Sequence, residues 1–150
     1  MKTVTLGRTG ITVSKNGFGA LPIQRISMEA AGEILRAAYD AGVNFYDTAN
    51  AYTDSEAKIG NALGDVRDKS APVALDQVKR NLENSLEKLK TDYIDIFQIH
   101  NAPHLYRPGD PDGLYDYLLE MKAQGVIRHI GITAHRLDVA WDAVHSGLYE

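Results

Sequence analysis

Asp47 closes the run Val43-Asn44-Phe45-Tyr46, and Tyr52 follows five residues later, just before Asp54 and Ser55 open a helical pattern. The run reads as a buried strand that stops at an acid. At the mouth of a parallel barrel, such a carboxylate can organise charge while the phenol gives a proton, as protonation of a carbonyl oxygen requires. His100 ends a later apolar run in Gln98-Ile99-His100-Asn101, and Thr133 ends the next in Gly131-Ile132-Thr133. Taken singly, each residue has a plainer reading. An acid at a strand end often shapes a turn, and most tyrosines pack as amphipathic core. The constellation is what points to chemistry.

For these side chains to meet, the chain must deliver several strand ends to one face. Thr3-Val4-Thr5-Leu6 and Ile11-Thr12-Val13 alternate around Gly7-Arg8-Thr9-Gly10, a hairpin signature suited to covering a barrel floor. Asn16 to Ala20 reads as a short strand, and Ser27 caps a helix to about Ala41, with Ile34, Leu35, Ala38 and Ala41 at helical spacing and Gly42 as its stop. The strand Val43 to Asp47 and a helix through Leu63, ended by Gly64, complete two βα units. The rhythm then breaks. Residues 65–72 lead into a third helix, striped by Leu75, Val78, Leu82, Leu86 and Leu89, with no strand before it. Tyr93 to Ile99 is a strand fit for burial on both faces, Asp112 to Ala123 a helix, Ile127 to Thr133 a strand, and Leu137, Ala140, Trp141 and Val144 pattern a fifth helix. Successive βα units imply right-handed crossovers and a parallel sheet, so the ends carrying Asp47, His100 and Thr133 open together.

The segment 43–56, with Gln98-Ile99-His100-Asn101 and Gly131-Ile132-Thr133, resembles the aldo-keto reductases over nearly the whole chain. The resemblance implies an α/β fold, a partial TIM (β/α)8 barrel with an N-terminal β-hairpin, forming one incomplete barrel domain over residues 1–150. The third barrel strand and the C-terminal half are missing, and 150 residues fall well short of the roughly 250 of a whole barrel. The implied activity is that of an NADP(H)-dependent oxidoreductase reducing aldehydes or ketones to alcohols, with NADPH as cofactor and NADH as the alternative. By the same resemblance Tyr52 protonates the carbonyl oxygen, Lys69 lowers the phenol's pKa, Asp47 holds that ammonium and His100 polarises the carbonyl. Lys69 takes this part if the strand residues before it are lost; the other assignment makes it a surface lysine ahead of the lost strand. A cation about 4 Å from a phenol contributes roughly 4 kcal/mol at an effective dielectric near 20, or about three pKa units. On the cofactor side, the resemblance implies Asp47 together with Ala20, which lines the cofactor edge, and Thr133, which holds the carboxamide. Ala134 stands where the family usually has Asn.

Composition bounds the partners. With 44% apolar residues, 24% charged residues and a net charge of -4, the chain offers no basic footprint for nucleic acid or an anionic membrane. It contains no Cys, so thiolate chemistry and disulfides are excluded, and no apolar run suits a membrane span or signal peptide. Cytoplasmic location and a small carbonyl substrate are the expectations. No metal site is expected, because Pro103 separates His100 from His104 in a loop. The open sheet edges, above all Tyr93 to Ile99, invite self-association. Two other readings stand beside the reductase: a catalytically inactive, reductase-derived structural or binding module, and a barrel enzyme using Asp47 and His100 in metal-assisted hydrolysis.

Overall fold

The computed structural model describes residues 1–49, 51–63 and 75–150. β1 (Thr3–Thr5) and β2 (Thr12–Ser14) form the expected antiparallel hairpin, with Val4 opposite Val13. β3 is only Phe18–Gly19, because Ala20 leads directly into a 3₁₀ helix, Leu21–Arg25, whose Pro22 suits a first helical turn. α1 (Met28–Asp40) starts where the Ser27 hydroxyl accepts the Ala30 N–H at 3.1 Å. Leu35 turns fully inward while Ile34 stays exposed, and Gly42, at φ +90°, provides the left-handed stop.

β4 is Tyr46–Asp47, shorter than the apolar run suggests because only these residues meet β3, in parallel, Phe18 opposite Tyr46 and Gly19 opposite Asp47. α2 (Ser55–Leu63) and α3 (Leu75–Leu89) come next. Val78, Leu82 and Leu89 form the buried stripe of α3, whereas Asn50, Gly64, Lys69 and the side chain of Leu75 lie outside the described residues. β5 (Ile94–Ile99) and β6 (Ile127–Ile132) pair in parallel, Phe97 opposite Ile130 and Ile99 opposite Ile132. Between them α4 (Leu114–Ala123) starts two residues later than Asp112, whose carboxylate accepts the Leu114 N–H at 2.9 Å.

α5 (Leu137–Ser146) corrects one expectation. Val139 and Ala143 face inward, while Leu137, Trp141 and Val144 are 86%, 68% and 80% exposed. The helix is apolar on several faces, so periodicity alone does not say which face is covered.

Three two-stranded ladders result, β1–β2, β3–β4 and β5–β6. Among the described residues no ladder joins β4 to β5, and the barrel is not closed. Two cores fill the space behind the ladders. One gathers Ile23, Leu35, Tyr46, Ile59, Leu63 and Leu89, the other Val78, Leu82, Phe97, Leu118, Ile127 and Ile130. α3 contributes to both and so ties the two halves together.

Candidate active site

The C-terminal ends of the parallel strands converge on a cleft of about 190 Å³ lined by Asp47, Tyr52, Gln98, His100, Asn101 and Thr133, among others. Each residue reaches it by simple strand logic. Asp47 is the last residue of β4, held in register by its carbonyl, which accepts the Ala20 N–H at 2.8 Å. His100 is the first residue beyond β5, and Thr133 the first beyond β6. Cross-strand bonds lock these exits together: the Thr133 N–H donates to Ile99 O at 2.9 Å, and the Ala102 N–H donates to Thr133 O at 2.8 Å.

Tyr52 arrives from a tight turn rather than a strand. Its N–H donates to Ala49 O at 2.8 Å and its carbonyl accepts the Ser55 N–H at 2.9 Å. Thr53 then takes the left-handed conformation at φ +46°, which costs a residue with a Cβ roughly 1–2 kcal/mol. The Tyr52 side chain is half-buried at the cleft wall.

Electrostatics set Asp47 apart. Loss of water around its carboxyl pushes its pKa up, and attraction to His100 pulls in the opposite direction. The residue is exposed and lines the cleft, so this acid is reachable. Opposite it, Thr133 Oγ1 accepts the Asn101 N–H at 2.9 Å and lies 3.4 Å from His100 Nδ1. The cleft therefore presents a phenol, an imidazole, a hydroxyl and a carboxyl to one small volume, a set able to protonate an oxygen and orient a carbonyl.

Among the residues expected at the site, Asp47, Tyr52, His100 and Thr133 come together. Ala20 does not join them: it is fully buried, and its N–H is held by Asp47 O. Lys69 lies outside the described residues. The cleft also contains residues that had no role assigned from sequence, among them Gln98, Asn101 and His135. Gln98 was legible, since strand alternation puts it on the same side of β5 as His100. Gly131 makes room for it, because a Cβ there would come within 2.8 Å of Gln98 Cγ. Asn101 had no such signal; its left-handed φ of +51° follows from the turn out of β5.

The rest of the segment 48–56 is scaffold. Thr48 Oγ1 and Ser55 Oγ share a buried hydrogen bond of 2.7 Å. Ser85 Oγ on α3 donates to the buried Glu56 carboxylate, which also lies 3.5 Å from Lys88 Nζ. Gly60 allows this seam, since a Cβ there would overlap the backbone of Lys88.

Comparison with known proteins identifies the family. The family model for the aldo/keto reductase family matches residues 15–148. The chain belongs to that family. L-galactose dehydrogenase from Arabidopsis thaliana is 29% identical, over 89% of this chain and 49% of the relative. The 6-dehydroglucose reductase of Novosphingobium aromaticivorans is 30% identical, over 85% of this chain and 50% of the relative. Among solved structures, the holo form of a Bacillus halodurans aldo-keto reductase superposes with a TM-score of 0.80 at 29% identity, covering 95% of this chain and 53% of that one. This aldo-keto reductase chain thus spans about half the length of the curated relatives it matches, and its fold is part of their α/β barrel. None of its described helices is long and apolar enough to cross a membrane.

Proposed function

We propose that this chain carries the catalytic end of an NADPH-dependent carbonyl reductase acting on small aldehydes or ketones in the cytoplasm. The observation that supports this best is the meeting of Asp47, Tyr52, His100 and Thr133 in one cleft at the strand ends of a family member. A bound nicotinamide cofactor supplies the hydride. The residues present fit the nicotinamide end of such a cofactor, since the Thr133 hydroxyl accepts one N–H and its own hydrogen can turn from His100 Nδ1, 3.4 Å away, to a carboxamide. Tyr52 then gives a proton to the carbonyl oxygen, and His100 donates a hydrogen bond that orients and polarises it. Asp47 holds the ammonium that lowers the phenol's pKa, a part proposed for Lys69. Two relatives are named for sugar substrates, and a polyhydroxylated aldehyde is accordingly the first substrate class to assay.

A second reading, an inactive binding module, draws on the lack of a ladder between β4 and β5 among the described residues. Titration with NADPH and NADH, followed by turnover with aldehydes, separates the two. The reductase reading expects NADPH binding at about 1 mM or weaker, near -4 kcal/mol, because only the nicotinamide end is held. It also expects slow oxidation of the reduced cofactor that depends on the aldehyde; no turnover at millimolar cofactor would favour the inactive module. We further propose that the chain associates with a second copy through its sheet. Sedimentation should give dimers or larger species, and a compact 16.5 kDa monomer would contradict this.

A further inference from the structure

Lysine is almost never fully buried unless it is paired, yet Lys58 on α2 is 2% exposed. Its ammonium has two partners. Nζ donates to Ile23 O of the 3₁₀ helix at 3.1 Å and lies 2.7 Å from Asp54 Oδ2, whose side chain is half exposed. Neither contact adds to the chemistry of the cleft, and Lys58 does not line it. As a stabilising device it is a poor choice. A buried ion pair is often matched or surpassed by apolar residues of similar volume, because desolvation consumes most of the attraction. The anomaly therefore calls for an explanation other than stability.

Its partners supply one, because both lie at the foot of the turn that carries Tyr52. Asp54 is the last residue of that turn before α2, and its carbonyl accepts the Lys58 N–H at 2.9 Å, so backbone and side chain of Asp54 are both bound to the same lysine. Thr53, strained at φ +46°, donates through Oγ1 to Gln24 Oε1 of the same 3₁₀ helix at 3.3 Å. The Tyr52 turn is thus fastened to the 3₁₀ helix at two adjacent points, one of them a buried charge. We propose that Lys58 is a positioning residue, clamping the turn of Tyr52 onto residues 23 and 24 and thereby fixing where the phenol enters the cleft. A charge-assisted contact is suited to this because it is directional and short, whereas an apolar side chain would fill the space without fixing the turn.

The consequence for catalysis rests on the carbonyl-reductase reading above, but the clamp itself does not, and the experiment keeps the two apart. Amide hydrogen exchange is measured by NMR on the full chain, its Lys58→Met variant and its Asp54→Asn variant, the last removing the partner's charge without altering the core. The Ser55 N–H, bonded to Tyr52 O, and the Tyr52 N–H should exchange about tenfold faster or more in both variants, as expected for loss of a charged hydrogen bond. Amides in the middle of α3 and in β5 should not change. Turnover with an aldehyde should fall through kcat, with the cofactor KM unaltered. Unchanged exchange at Tyr52 and Ser55 would overturn the clamp, and so would acceleration spread over α2 and α3, which would make Lys58 a general structural residue. Local acceleration in a protein without turnover would support the clamp and reject the reductase reading.

Discussion

Asp47 and Glu56 are two acids of one short segment, and they live in opposite surroundings. Glu56 is 1% exposed and fully engaged by Ser85 and Lys88 across the α2–α3 seam. Asp47 opens into the cleft, its pKa raised by partial loss of water, with His100 nearby. The difference separates support from chemistry. A carboxylate whose oxygens are taken up by fixed partners holds helices together, whereas one open to a cleft beside an imidazole can still respond to a ligand. Clustered residue types in a sequence therefore do not share a role merely because they are adjacent.

The largest effect is expected at the seam. Gly60→Val places a side chain against the backbone of Lys88, and the expected loss is about 3 kcal/mol or more, read as a lowered midpoint in urea unfolding. A midpoint within error of the parent would mean that α2 and α3 can separate without cost. On the cleft side, His100→Ala is expected to leave the unfolding midpoint nearly unchanged and to slow aldehyde reduction about 10²-fold, equivalent to about 2.7 kcal/mol of barrier. Turnover at the parental rate would return His100 to a surface role.

A smaller effect sharpens the contrast between the two acids. The pKa of Asp47 is raised in the folded chain, so its contribution to stability is fully present below the ordinary value of 3.8 and is lost as pH rises through the raised one. Asp47→Asn should therefore unfold at a slightly higher temperature than the parent at neutral pH, with the advantage disappearing below pH 3.8. A destabilised variant at neutral pH would show Asp47 to be held as tightly as Glu56.

Much of this was legible in the residues. Strand-end acids, the alternation that pairs Gln98 with His100, and the Ser27 cap all follow from local rules, and the four elements from β5 to α5 lie near their expected boundaries. Illegible features depended on what lies across from a residue. The burial of Ala20 follows from the 3₁₀ helix into which the chain bends right after it. The outward face of α5 could not be read from a helix with apolar residues on several sides. Lys58 reads as one more surface lysine until the 3₁₀ helix is laid over it.

If Tyr52 is the proton donor of a carbonyl-reducing cleft, Tyr52→Phe removes the donated proton and nothing else. With NADPH and an aldehyde held constant, the variant should lose turnover by about 10²-fold or more while its cofactor titration overlays the parent's, since only the donated proton is removed. Parental turnover in Tyr52→Phe, or its loss together with cofactor binding, would contradict the account.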